Sequence, residues 1–283
     1  MVASSTLLIE SCLVSTPMDP LQSPETLLLE HHADGVLQVT LNRPNVGNAI
    51  NTRMGQELLE LWLRLSNDAQ GLRCVVLTGA GSKIFCAGGD LKERQGMTRA
   101  QWMHQHEIFE RMSWALVDLP LPVIAAINGH AYGGGLELAL CCDFIYASSG
   151  ARFALPEATL GIMPGMGGTQ NLPRAIGERR AKELIMTGQA FTAQQALDWG
   201  LLNQAIEPDQ LLSQTLRTAQ TLARNAPLSV RQVKKSIRYG GQMELRTAYR
   251  FEVEAYNQLV DTADRREGVL AFNEKRLPQF KGL

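Results

Sequence analysis

Apolar residues recur along this chain with two different periods, and the period changes place by place. Val36-Leu37-Gln38-Val39-Thr40-Leu41 is rich in β-formers and partly alternates. It predicts a strand that stops at the Asn42-Arg43-Pro44-Asn45 turn. Thr52 to Asn67 then carries Met54, Leu58, Leu61 and Leu65 at helical spacing, with Thr52 as the expected N-cap. Cys74 to Thr78 is a short buried strand closed by Gly79-Ala80-Gly81. Residues 99–118 form a helix with Trp102, Phe109, Met112 and Leu116 on one stripe. Pro122 to Asn128 returns to strand, Gly133-Gly134-Gly135 opens a helix through Cys141, and Asp143 to Ala147 is strand again.

Such alternation implies crossover connections and a mostly parallel sheet, an α/β class in which repeated ββα units fit the first half. From residue 178 the pattern turns helical: Glu178 to Thr187, Thr192 to Trp199, Asp209 to Arg224, Leu228 to Tyr239, Leu245 to Val260 and Ala263 to Lys275. The expected organisation is a polar N-terminal extension over 1–22, an α/β core over 23–200 that holds the site, and a helical region over 201–283.

Composition narrows the functional classes. The 283 residues are 45% apolar and 19% charged, with a net charge of -1. That supports a sizeable core and offers no bulk positive charge for nucleic acid. No apolar run is long enough for a membrane span. The five cysteines are odd in number and lack C-x-x-C spacing, so they are read as small core residues in a reducing compartment. No histidine pair has metal-ligand spacing, so no metal is expected. Residues 1–42 contain no Lys or Arg. A basic secretory start and an arginine-rich presequence are both missing, and a cytoplasmic protein is expected.

Four segments carry candidate chemistry. Phe85-Cys86-Ala87-Gly88-Gly89-Asp90-Leu91 and His130-Ala131-Tyr132-Gly133-Gly134-Gly135-Leu136-Glu137 both follow predicted strands, where open α/β sheets place ligands. Glycines leave backbone N–H groups uncovered, and at a helix start those groups lack partners. Two of them converging would make an oxyanion hole. The same glycines also permit close helix–strand packing. Glu137 falls one helical turn after Gly134 among apolar neighbours, as a proton-transfer group or as a capping carboxylate. Glu157 lies in Phe153-Ala154-Leu155-Pro156-Glu157, with Pro156 expected at the first position of a short helix. Gly161 to Thr169 follows as a glycine-rich loop. Two carboxylates in one dry pocket would have separated pKa values and could move protons to and from a water. There is no G-x-S-x-G and no phosphate-binding P-loop, and Gly133-Gly134-Gly135 fails the dinucleotide pattern at Leu138.

With those residues in view, the chain resembles the crotonase superfamily, the enoyl-CoA hydratase/isomerase family. The matching runs are Leu41-Asn42-Arg43-Pro44 with Asn48-Ala49, Ile84 to Glu93, Ala125 to Gly129 with Gly133 to Ala139, Pro156-Glu157 with Gly165 to Gln170, and Asp264 to Gly268 with Glu274-Lys275-Arg276. The resemblance implies a spiral of ββα units, a C-terminal helical trimerisation region, and a homotrimer or a homohexamer built as a dimer of trimers. It implies an acyl-CoA thioester as substrate, with coenzyme A part of that substrate and no separate cofactor.

Residue by residue, it assigns the thioester oxyanion hole to the N–H groups of Gly89 and Gly134. Ala87, Asp90, Leu91 and Lys92 would lie along the acyl-CoA segment, Tyr256 beside the adenine, and Lys275 near the CoA phosphates of a neighbouring subunit. Keeping both Glu137 and Glu157 favours hydration of a 2-enoyl-CoA over isomerisation. By analogy Glu137 handles the water and Glu157 supplies the proton at C2, with the roles open to exchange. Several runs also resemble the 3-methylglutaconyl-CoA hydratase branch. The helix that carries a comb of lysines in its RNA-binding member has no lysine here, only Arg53 and Arg64, so no nucleic-acid partner is expected.

Overall fold

A computed structural model describes residues 24–283. The expected 1–22 extension and Cys12 lie outside those residues. Strands β1 (Leu27–His32) and β2 (Val36–Leu41) lead into helix α1 (Thr52–Asn67). β3 (Cys74–Gly79) and β4 (Ile84–Cys86) lead into α2 (Leu91–Arg94) and α3 (Arg99–Val117). β5 (Val123–Ile127) and β6 (His130–Tyr132) lead into α4 (Gly134–Leu140). β7 (Phe144–Ser148) and β8 (Arg152–Ala154) lead through a 3-10 turn, Glu157–Leu160, into α5 (Gly168–Ile176) and α6 (Glu178–Thr187). β9 (Phe191–Thr192), α7 (Ala193–Asp198) and β10 (Gln204–Ile206) precede the last helices, α8 (Leu211–Ala223), α9 (Pro227–Gly240), α10 (Leu245–Asn257) and α11 (Ala263–Asn273).

The repeated unit is therefore ββα, and its geometry is a spiral. Each of three successive units sends its first strand to a six-stranded sheet, ordered β1-β2-β3-β5-β7-β10, and its second strand to a four-stranded sheet, ordered β4-β6-β8-β9. Neighbours from β2 to β10 pair in parallel, for example Val75 opposite Val123 and Ile124 opposite Phe144. Among the described residues only the outer pairs, β1 with β2 and β8 with β9, are antiparallel. The central strands are covered on both faces, which is why they read as continuous apolar runs and not as alternation. One face packs on α1, α3 and α4 through Met54, Leu58, Trp62, Phe109, Met112 and Leu136. The other packs on α8 through Leu211, Ala219 and Ala223. Each fully buried large apolar side chain contributes roughly 1.5–3 kcal/mol.

Tertiary pairing corrects several expectations. The core does not end at residue 200. β10 pairs with β7, Gln204 opposite Tyr146, and α8 covers the sheet, so the body runs through Ala223. Asn51, not Thr52, caps α1: its side-chain oxygen accepts from the Met54 N–H at 3.0 Å. Thr52 is the first helical residue, and its hydroxyl accepts from Gln105 at 2.8 Å. Pro156 stands just before the 3-10 turn and not at its first position. β1, whose run Leu-Leu-Leu-Glu-His-His does not alternate, and the two- and three-residue strands β4, β6, β8, β9 and β10 escaped the pattern. Strands of two or three residues hold no period, and only their partners define them. Among the described residues no helix is long and apolar enough to cross a membrane.

Candidate active site

The two glycine turns meet. The first is held from behind. Ile50 donates to the Gly88 carbonyl at 2.8 Å and accepts from the Asp90 N–H at 2.9 Å. In such a parallel bridge the middle residue's own N–H faces the opposite way. Gly89 is that residue, and its nitrogen lies 3.6 Å from where a Cβ on Gly134 would stand. Gly134 is the first residue of α4, so its N–H has no intrahelical partner. Gly88 makes the approach possible. It sits at φ +97°, and a Cβ there would come within 2.9 Å of the Tyr132 carbonyl and 3.1 Å of the Gly134 nitrogen.

Residues around Arg43 explain why this loop keeps its shape. Asn48, fully buried, donates to the carbonyls of Ala80 and Ile84 and accepts from the Arg43 N–H. The Arg43 guanidinium bonds the Ala49 carbonyl at 2.6 Å and the Asp90 carboxylate at 2.9 Å. Asp90 also caps α2 by accepting from the N–H groups of Lys92 and Glu93. Burial pushes the Asp90 carboxyl up, but Arg43 and these N–H donors outweigh it and hold it below the usual carboxylate range.

Glu137 and Glu157 enter the same cavity from different elements. Glu137, on α4, is 2% exposed. Its Oε1 accepts from the N–H groups of Met166 and Gly168, each at 2.8 Å. Burial pushes its pKa up more than the donors at Gly168, Met166 and Gly165 pull it down. Glu157, at the start of the 3-10 turn, has a buried Oε2 with no partner. Burial, with the nearby Glu137 charge adding to it, pushes Glu157 up to about 7.

The cavity has a volume of about 520 Å³. It brings together Gly89, Gly134, Glu137, Glu157, Ala87 and Leu91, all expected at the site. It does not take in Asp90, Lys92, Tyr256 or Lys275. Asp90 is committed to Arg43 and to the α2 cap, and Lys92 points outward on that short helix. Tyr256 on α10 and Lys275, which follows α11, are exposed. Two polar lining residues were missed, Arg94 and His106. His106 had a signal, since it follows Trp102 by one helical turn on the face that α3 turns to the cavity. Arg94, in the run Leu-Lys-Glu-Arg, had none. Among the described residues no group of three His, Cys, Asp or Glu side chains could hold a metal ion.

A family profile described as enoyl-CoA hydratase/isomerase matches residues 31–283. The chain belongs to the enoyl-CoA hydratase/isomerase family. It is 42% identical over 241 residues to a short-chain-enoyl-CoA hydratase of Clostridium acetobutylicum, covering 85% of this chain and 92% of that protein. It is 39% identical over 264 residues to an (E)-benzylidenesuccinyl-CoA hydratase of Thauera aromatica, covering 92% and 99%. The crystal structure of an enoyl-CoA hydratase from Bacillus anthracis superposes with a TM-score of 0.89 at 42% identity, over 92% of this chain and all of that one. The protein is thus an enzyme of this family with the crotonase fold, a mixed α/β body closed by C-terminal helices.

Proposed function

We propose that this enzyme hydrates a 2-enoyl-CoA thioester to the 3-hydroxyacyl-CoA. The observation that carries the reading is the convergence in one cavity of two free backbone N–H groups and two buried carboxylates with unlike surroundings. The thioester oxygen accepts from Gly89 and Gly134. Glu137, fixed by backbone donors, holds a water and takes its proton as the oxygen bonds to C3. The C2–C3 electron pair moves toward the thioester, and the resulting enolate oxygen is stabilised by the two N–H groups. Glu157, protonated below about 7, delivers its proton to C2. Glu137 ends protonated and Glu157 ionised, and exchange with solvent restores the pair.

The reading is tested by following crotonyl-CoA with purified protein. Hydration bleaches the enoyl thioester absorbance, whereas an isomerase would build it up from a 3-enoyl ester. Glu137→Gln or Glu157→Gln hydrating at the parent rate would remove that residue from the mechanism.

Assembly is part of the same proposal. α9, α10 and α11 expose Val233, Ile237, Leu245, Tyr249, Val253 and Phe272. Large apolar side chains exposed together on neighbouring helices fit a covered surface, and a homotrimer or homohexamer formed through these helices places them out of water. Sedimentation at micromolar protein tests this, and a monomer there would overturn it.

A further inference from the structure

Among the described residues Arg94 is the only lysine or arginine that lines the cavity. It closes α2, and its side chain turns inward. Its Cζ lies 4.5 Å from the ring centre of Trp102 and 5.6 Å from that of Phe109. The guanidinium is also held at its base. Nε donates to the Gln105 Oε1 at 2.7 Å. Gln105, 1% exposed, is itself fixed through its Nε2, which donates to the Thr52 hydroxyl at 2.8 Å and to the Glu93 Oε2 at 2.7 Å. The outer nitrogens Nη1 and Nη2 take no partner among the described residues, and Arg94 enters no ion pair there. They lie 3.4 and 3.5 Å from the point a Cβ on Gly89 would occupy. A partly desolvated planar guanidinium is thus held rigid, with its face against the oxyanion glycine and its two outer nitrogens unbonded among the described residues.

We infer that Arg94 is a specificity residue that receives a carboxylate carried on the acyl group of the substrate. The inference rests on the CoA-thioester reading of this cavity. Structural duty alone does not account for the arrangement. Stacking on Trp102 and Phe109 and the bond to Gln105 use the ring-facing surface and Nε, and leave the bidentate edge unused. Glu93, the nearest acid in sequence, spends its Oε2 on the Thr52 N–H and on Gln105. The CoA phosphates are not the fitting anion, because the pantetheine arm carries them far from the thioester carbon, and Arg94 lies against the residue that grips that carbon's oxygen. An anion that meets the fork is therefore within a few bonds of the thioester, on the acyl side walled by α3. A carboxylate matches the planar fork with two parallel charge-assisted bonds. The Glu93 and Glu137 charges act on the guanidinium without bonding it, and a plain alkyl tail would leave Nη1 and Nη2 facing apolar atoms with no hydrogen-bond partner.

The test separates recognition from turnover. Glutaryl-CoA and butyryl-CoA, saturated and so unreactive, are titrated into the wild-type enzyme and into Arg94→Met and Arg94→Lys by calorimetry. Glutaconyl-CoA and crotonyl-CoA are assayed for hydration in parallel. The wild type is expected to bind glutaryl-CoA at least about tenfold tighter than butyryl-CoA. Arg94→Met is expected to reverse that preference and to lower the ratio of kcat/KM for glutaconyl-CoA over crotonyl-CoA by about 10²-fold, the scale set by leaving a buried charge unpaired. Arg94→Lys, which keeps the charge without the fork, should fall between them. A wild-type binding ratio near one, or a ratio that neither substitution moves, overturns the inference. Equal losses on both thioesters in Arg94→Met would also overturn it, since they mark a grip on the thioester oxygen itself. A wild type that hydrates neither ester yet keeps an Arg94-dependent preference for glutaryl-CoA would sink the hydratase reading and leave this one standing.

Discussion

Glu137 and Glu157 share a cavity and differ in almost everything else that sets a carboxylate's behaviour. Glu137 is presented by a helix and seated on backbone donors from the 165–168 loop. Glu157 is presented by a single 3-10 turn, and one of its oxygens is buried with nothing to bond. Burial raises both pKa values; at Glu137 the N–H groups of Gly168, Met166 and Gly165 work against it, and at Glu157 only its own N–H does. Burial alone therefore does not distinguish base from acid. In the proposed hydration the difference in donors assigns the roles: the carboxylate seated on the 165–168 loop keeps its charge more easily, and the one with an unpartnered oxygen keeps its proton.

Replacing either acid is the largest way to break the comparison. Glu137→Gln and Glu157→Gln should each lower kcat for hydration by roughly 10²–10⁴-fold. The double variant should lose far less than the product of the two, because they act as a unit. Strict multiplication of the losses would mean that the two acids work independently. Removing an oxyanion donor comes next. Gly134→Pro deletes one N–H at the first helical position, which proline favours, and its Cβ would stand 3.3 Å from the flexible Met166 sulfur and in ordinary contact with the Gly89 nitrogen at 3.6 Å. Turnover should fall by about 10²–10³-fold with the fold retained by circular dichroism.

The pH dependence sharpens the assignment at lower amplitude. If Glu157 gives its proton from the free enzyme, kcat/KM falls as pH rises through about 7, and a separate limb on the acid side marks protonation of the base Glu137. Glu157→Gln should lack the alkaline limb, and an alkaline limb that persists would assign it to another group. The smallest effect is on stability, and its sign is fixed. Folding raises the Glu157 pKa above the ordinary 4.5, so its contribution is fully present below 4.5 and is lost as pH rises through about 7. Glu157→Gln should melt like the wild type at pH 4.5 and a few degrees above it at pH 8. The reverse order would contradict a strained, buried carboxylate.

Long elements were legible in sequence because they carry their own period. Thr52 to Asn67 shows four apolar residues at helical spacing, and the helix has those bounds. The crossover strands read as unbroken apolar runs because both faces are covered. β10 holds three residues and no period, and it exists only because β7 offers it a parallel edge. At the site, the glycine turns and the two acids were readable as residue types in apolar company. Asp90 was read as part of the acyl-CoA segment, yet the structure shows it tied to Arg43, whose position 47 residues earlier holds no local hint of the pair. Arg94 gave no signal at all, since a charged residue on a four-residue helix resembles any solvated surface position.

What the sequence determined unaided was local: where helices and strands run, which turns bare their N–H groups, and which acids sit among apolar neighbours. These follow from propensity and periodicity within a few residues. What only the tertiary structure decided was which of these features share one cavity, which donors reach Glu137 but not Glu157, and that Arg94 points inward. Those facts depend on groups distant in sequence brought within hydrogen-bond reach by the ββα spiral, and no local pattern encodes such a distance.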